Sequence, residues 1–266
     1  MEAVEGEGSG PPRYTLNPTR ICGEDILFCV DVDAESLMEM KATGANGRPV
    51  TRLDSIKQAI LLFIHSKLSI NPDHRFAFAT LSKSASWLRK EFSSDVDSAM
   101  SALRSLSATS PSGHADLTHL LRLAAHEAKK SLAQGRIFRV ILFYCRSSTK
   151  PHYQRSGAQK LFTLDVIYLH DKPGPDNCPQ EVYDMLVDAL ETVSEHEGYI
   201  LESGQGLTRV LFRQVCVLLA HPQQRSPQDF IDFPKSLAKK LPLSEQTPGA
   251  ADDSVPVSTP MNKTNP

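Results

Sequence analysis

Ile26-Leu27-Phe28-Cys29-Val30-Asp31-Val32-Asp33-Ala34-Glu35 decides how the rest of the chain is read. An apolar run of this length, bounded by turn signals, reads as a buried strand. Three carboxylates at alternate positions, Asp31, Asp33 and Glu35, follow where the run stops. In open α/β sheets ligands bind at the carboxyl ends of the strands. Clustered acids there are costly unless they hold a cation or hydrogen-bond to their own loop. The three residues are therefore candidates for a metal site, for a nucleophile, or for the remains of one.

Outward from this strand, apolar runs and helix-spaced patterns alternate. Ile56, Ala59, Ile60, Phe63 and Ile64 predict a helix over Leu53–Lys67, broken by Asn71-Pro72-Asp73. Gly44, Gly47 and Pro49 mark a loop before it. Arg75–Leu81 reads as a second strand and Ser84–Leu88 as a short edge strand beside it. Asp95–Leu106 is a helix with Val96, Met100, Leu103 and Leu106 on one side. A stronger helix over Asp116–Ala133 shows Leu117, Leu120, Leu121, Ala124 and Ala128, and Gly135 is placed to end it. Ile137–Cys145 and Leu161–Leu169 are further buried strands, the second with Asp165 as a lone internal charge. Gln180–Ser194 is helical, Gly198–Leu201 a brief strand and Leu207–Leu219 the last helix. Alternation of this kind implies a mostly parallel sheet covered on both faces, an α/β fold.

The chain has 266 residues, with 40% apolar and 23% charged residues, which supplies one ordinary core plus tails. Net charge is −2, so no global field favours nucleic acid or an anionic membrane. Residues 1–10 are acidic and Gly-rich, unlike a secretory signal. No apolar run approaches the roughly 20 residues of a membrane span. Residues 1–20 are expected to be a flexible arm, 21–221 the folded domain, 222–233 an extended segment and 234–266, rich in Pro, Ser, Lys and Thr, a disordered tail. The five cysteines form no Cys-x-x-Cys pair. Cys29, Cys145 and Cys216 lie in apolar runs, where a free thiol behaves as a small hydrophobe. Reduced thiols of the cytosol or nucleus are the expectation.

Two chemistries compete for the opening acids. Cys29-Val30-Asp31-Val32-Asp33 is similar to the Asp-x-Asp of haloacid dehalogenase-type phosphatases, where the first Asp attacks phosphate and the second is an acid/base. The later acidic pair that such enzymes need for magnesium is missing at Tyr144-Cys145-Arg146 and Leu169-His170-Asp171. The alternative resembles the ion site of von Willebrand factor A domains, whose Rossmann-type fold matches the order of elements. Those domains open with Asp-x-Ser-x-Ser, add a Thr before a central helix and an Asp at a later strand end. Here Asp33 and Glu35 replace the serines, Ala115 the Thr and Cys145 the Asp, leaving only Asp31. The site reads as degenerate and without metal, and no cofactor is expected. His119 and His126 read as a solvated face, Gly204-Gln205-Gly206 as a tight turn, and Trp87 as either a core lid or an interface anchor.

Three further segments carry a closer resemblance: Arg75–Ala79 leading to Ala85-Ser86-Trp87-Leu88, Leu164–His170, and Leu218-Leu219-Ala220-His221-Pro222-Gln223-Gln224-Arg225. Together with the degenerate ion motif they resemble the von Willebrand factor A-like MERIT subunits of the BRISC and BRCA-A deubiquitinase complexes, over about residues 21–230. The resemblance implies a non-catalytic scaffold. It would bind a subunit with ubiquitin-conjugating-enzyme-like (UEV) domains, and through it a metalloprotease deubiquitinase and its pseudoenzyme partner. That assembly cleaves non-degradative polyubiquitin chains in DNA damage repair, in nucleus and cytoplasm. The family's Pro-x-x-Arg segment, here Pro222 to Arg225, would contact the UEV subunit, with His221 and Phe230 beside it. Pro222 pre-sets an extended backbone and Arg225 can give a carboxylate a bidentate pair. No direct nucleic-acid or membrane contact is implied.

Overall fold

The computed structural model describes residues 21–43, 49–154, 160–175, 177–204 and 206–231. The expected arm over 1–20 and tail over 234–266 lie outside the described residues. In chain order the elements are β1 (Glu24–Asp31), β2 (Glu39–Thr43), β3 (Pro49–Thr51), α1 (Arg52–Ile70), β4 (Arg75–Leu81), β5 (Ala85–Ser93), α2 (Val96–Ser105), β6 (Ala115–Asp116) and α3 (Thr118–Ala133). They continue with β7 (Ile137–Tyr144), β8 (Pro151–His152), β9 (Thr163–Leu169), α4 (Pro179–Val193), β10 (Ile200–Ser203) and α5 (Thr208–Val217). The main sheet runs β10-β9-β7-β1-β4-β5, parallel except for the antiparallel edge strand β5. The described residues up to Asp229 belong to one compact unit.

Alternation along the strands splits the core between the two faces of the sheet. Leu27, Cys29, Val140, Leu142, Leu164 and Val166 pack with Leu120 and Ala124 of α3 and Leu186 of α4 in one cluster. On the other face Phe28 meets Phe63 of α1 edge-on at 5.6 Å and stacks between Phe76 and Phe78. Sheet order then places the site. The chain leaves β1 toward β4 on one side and returns to β7 on the other, so the topological switch lies between the carboxyl ends of β1 and β7. This is the crevice where such sheets bind ligands.

The parallel sheet with helices on both faces agrees with the sequence reading, and element ends differ from it by a few residues, but the segment expected to be extended from 222 carries short 3-10 turns at Pro222–Gln224 and Gln228–Phe230. Four details differ more. The stretch read as a loop before α1 contains the β2–β3 hairpin, with Met40 buried beneath it. The short edge strand is the nine-residue β5, whose exposed Lys90 and Glu91 suit a sheet edge facing water. The helix read from Asp116 starts at Thr118, because Asp116 pairs in β6 and its carboxylate accepts from the Thr118 amide at 2.8 Å. Cys216 is exposed on α5 rather than packed as a hydrophobe. Trp87 is half-buried and packs against the core. Local chemistry also sets the ends. Thr51 and Asp54 cap α1 reciprocally, Asp95 accepts from the first amides of α2, and Gly135 closes α3 at φ +67°, where a Cβ would be strained.

Candidate functional site

At the switch point Asp31 is fully buried, and the cation it requires is a side chain of its own protein. Arg146, two residues past the end of β7 and also fully buried, donates from Nη2 to Asp31 Oδ1 at 3.0 Å and from Nε to Oδ2 at 3.1 Å. Its Nη1 donates to the carbonyls of His114 at 2.7 Å and Ser112 at 3.2 Å, and Nη2 also donates to the Ser82 carbonyl. All five guanidinium hydrogens thus have acceptors. One side chain ties the ends of β1 and β7, the β4–β5 turn and the loop before α3.

The remaining acids are spent locally too. The amides of Asp33 and Cys145 donate to Asp31 at 3.1 Å each. Asp33 accepts from the Ser112 amide at 2.7 Å and the Glu35 amide at 3.4 Å. Glu35 accepts from the Ser147 amide at 2.9 Å. Arg52 donates to the Cys145 carbonyl at 3.0 Å and to Asp171 at 2.6 Å. Burial opposes the charge on Arg146, but Asp31 beside it outweighs burial and raises its pKa. Burial pushes the Asp31 carboxyl up, and Arg146 and the two amides pull against it.

The residues present do not fit the divalent ion of the domains that the opening motif resembles. A guanidinium covers Asp31, and Ala115 and Cys145, both buried, stand where oxygen ligands would be. Burial holds the Cys145 thiol far above its usual range, so it offers no thiolate. Among the described residues no group of three or more His, Cys, Asp or Glu is arranged to hold a metal. The same contacts argue against Asp31 as a phosphatase nucleophile, since its oxygens point at Arg146 and two amides rather than at an open cleft.

The docking segment read from sequence, as far as Arg225, lies at the opposite edge of the sheet. Asp165, read from sequence as a lone charge, is the centre of a buried network. Arg139 Nε donates to it at 2.5 Å, Arg225 Nη1 and Nη2 at 2.6 and 3.1 Å, and the Tyr199 amide at 2.8 Å. Burial works to raise the Asp165 pKa, and Arg139 and Arg225 outweigh it, leaving it lowered. Arg225 also lies over the Tyr199 ring at 4.4 Å and donates to the Glu197 carbonyl at 2.9 Å. Arg139 reaches Glu24, which pairs with Lys67 in turn. His221 lies 3.9 Å from Glu24 and its Nε2 bonds the Cys22 carbonyl at 3.2 Å. His221, Pro222 and the Arg225 side chain are therefore buried, whereas Gln223, Gln224 and Phe230 are exposed.

Arg146 and Arg139 were not singled out from sequence. The available signal was an arginine inside or just after an apolar strand, which must find a buried carboxylate. His119 and His126 lie on an exposed helix face, as read, although His119 Nδ1 contacts the Ala85 carbonyl.

No protein-family model matches the chain. Among curated proteins it is similar to BRISC and BRCA1-A complex member 1 of Xenopus laevis, 26% identical over 84% of this chain and 71% of that one. The Homo sapiens protein of the same name is 25% identical over 87% and 77% respectively. Among solved structures, a PilB minor pilin from Streptococcus sanguinis superposes with a TM-score of 0.52 at 10% identity over 76% of this chain, which spans 62% of that chain. The SpRpn10 VWA domain gives 0.48 at 13% identity, over 72% of this chain and 94% of that one. The open, mostly parallel sheet has the order expected above for a von Willebrand factor A-like fold, and the chain is similar to proteins named as complex subunits.

Proposed function

We propose that this chain is a non-catalytic scaffold subunit of a BRISC/BRCA-A-like deubiquitinase assembly. In this reading it works in nucleus and cytoplasm, and stabilises the complex that edits non-degradative polyubiquitin chains in DNA damage repair. The observation that carries the proposal is Arg146 on Asp31. With an internal cation closing the ligand crevice, the domain is left with its surfaces to work through. The similarity to proteins named as complex members supports the same direction.

For the partner surface we propose the segment from His221 to Phe230, with a UEV-domain subunit as the partner. The metalloprotease deubiquitinase and its pseudoenzyme partner are then reached through that subunit. Within the segment the roles divide by exposure. Gln223, Gln224 and Phe230 are free to meet a partner, while His221, Pro222 and Arg225 hold the backbone in place. Affinity purification of the full chain, with identification of bound subunits, tests the reading. Recovery of a UEV-domain subunit together with a metalloprotease supports it. Their absence, or magnesium-dependent phosphate-ester hydrolysis by the pure chain that Asp31→Asn abolishes, overturns it.

A further inference from the structure

A second opening lies at the carboxyl edge of the sheet, beyond Asp171. A cavity of 540 Å³, within the range of small-ligand sites, sits between the ends of β9 and β10 and the start of α5. Its lining includes His170, Lys172, Glu202, Ser203, Gly204 and Arg213. Nothing in the crevice described above uses these side chains.

His170 is the best-held group in this cavity. Its imidazole stacks on the Tyr168 ring, centroids 4.7 Å apart. On another side it lies against Gly204, where a Cβ would come within 2.6 Å of the ring. Nδ1 is 2.8 Å from the Asp171 carbonyl, which can only accept, so Nδ1 carries the proton. The free nitrogen is therefore Nε2, which has no hydrogen-bond partner although the residue is only 8% exposed. The Glu202 carboxylate stands 3.6 Å away on a side chain that is largely in solvent. Ser203 Oγ, on a residue 6% exposed, likewise has no partner. The first turn of α5 adds backbone donors, because its N-cap Leu207 offers no side-chain acceptor.

Stacking, backbone anchoring and a glycine cradle fix an imidazole whose Nε2 is unbonded, in a lining that also holds an unbonded hydroxyl. We propose that this cavity binds a phosphate-class oxyanion, with His170 Nε2 and Ser203 Oγ as hydrogen-bonding groups and Lys172 and Arg213 supplying the charge. Among the described lining residues cations outnumber carboxylates, which disfavours a metal ion. A hydroxyl and helix-end amides donate to the oxygens of a tetrahedral oxyanion, and the Nε2 lone pair accepts from its P–OH. Glu202, 3.6 Å from Nε2 on a side chain largely in solvent, has room to move away when an anion arrives.

Imidazole ¹H–¹⁵N spectra of the full chain, titrated with inorganic phosphate at fixed pH and ionic strength, test the assignment. The expected result is a saturable shift of His170 Nε2. Lys172→Gln with Arg213→Gln should weaken binding by about tenfold or more. Gly204→Ala should weaken it by pushing the ring aside, and Glu202→Gln should tighten it by removing the competing carboxylate. Ser203→Ala, a smaller change, gives a milder loss, and a thermal melt of each variant checks folding. A phosphoserine peptide and its unphosphorylated twin separate the sources. Binding of the phosphopeptide alone, tighter than phosphate, points to a phosphorylated segment of a partner, and equal binding to a free anion. No saturable shift, a shift reproduced by chloride, binding indifferent to the double variant, or a response to zinc but not to phosphate overturns the proposal.

Discussion

Replacing Arg146 by alanine removes the cation that, among the described residues, pairs with Asp31. Asp31 keeps two donors, the amides of Asp33 and Cys145, each at 3.1 Å. It loses three guanidinium contacts of 3.0–3.2 Å, and the carbonyls of Ser82, Ser112 and His114 lose theirs. Breaking a buried ion pair by deleting one partner costs about 3–5 kcal/mol. For a domain of this size that lowers the melting temperature by roughly 6–20 °C. Calorimetry of Arg146→Ala, Asp31→Asn and Asp31→Asn/Arg146→Met measures it, and the double variant should be less destabilised than the sum of the single changes. A second readout separates this account from simple loss of packing. Arg146→Ala leaves Asp31 and Asp33 without a cation, so magnesium or manganese should restore part of the loss, about 2.7 kcal/mol at a hundredfold excess over Kd. The unaltered chain should gain nothing from either ion. A loss below about 1 kcal/mol in Arg146→Ala, or stabilisation of the unaltered chain by magnesium, would refute the reasoning.

Thiol chemistry should divide the cysteines by burial: Cys22, Cys178 and Cys216 react with an alkylating reagent in the folded chain, while Cys29 and Cys145 react only after unfolding. Rapid modification of Cys145 would contradict the closed crevice. His74 accepts from the Glu24 amide through Nδ1 at 3.0 Å, and burial, then Lys67, depress its pKa from 6.5 to about 4. Between those values the unfolded chain binds a proton that the folded chain refuses, so stability falls as pH drops through this window. His74→Asn, which keeps an acceptor, should flatten that slope by about 1.4 kcal/mol per pH unit, and an unchanged slope refutes the assignment. Arg225→Ala should destabilise the fold by about 3–5 kcal/mol by stripping a charge partner from Asp165. Phe230→Ala should leave stability within about 0.5 kcal/mol and weaken capture of the UEV-domain partner, and the opposite pattern would show the two roles reversed.

The fold was legible because its strands are apolar runs and its helices carry 3.6-residue stripes, the signals least dependent on tertiary context. The position of the site was legible for the same reason. An acid at the end of the first strand of such a sheet falls at the switch point whatever its partners are. The partners were not legible. Arg146 is separated from Asp31 by 115 positions, and no local pattern joins them. Asp165 looked solitary because its partners, Arg139 and Arg225, come from a neighbouring strand and from beyond the last helix. Periodicity reports which face a residue takes, and it is silent about which opposite charge arrives from elsewhere in the chain. The β2–β3 hairpin was hidden for another reason: Gly44, Gly47 and Pro49 are turn signals, and the strands flanking them are short and polar.

The two edges of the sheet share one device with different consequences. At the amino edge, Arg225 reaches in from a segment after the last helix, so the network around Asp165 fixes that segment to the domain. At the carboxyl edge, Arg146 turns back onto the strand beside its own and closes the crevice. A divalent ion in that position would make loop geometry depend on ion supply, because a site without its ion leaves like charges facing one another. A guanidinium keeps its charge under all physiological conditions and cannot dissociate. Exchanging one for the other converts a conditional binding edge into a permanent strut. For the proposed scaffold role that exchange is favourable, since an assembly platform gains from surfaces whose shape does not vary with ligand. It also explains how Ala115 and Cys145 can stand at the positions compared above with ion ligands without leaving a charge unpaired, because the guanidinium already satisfies Asp31.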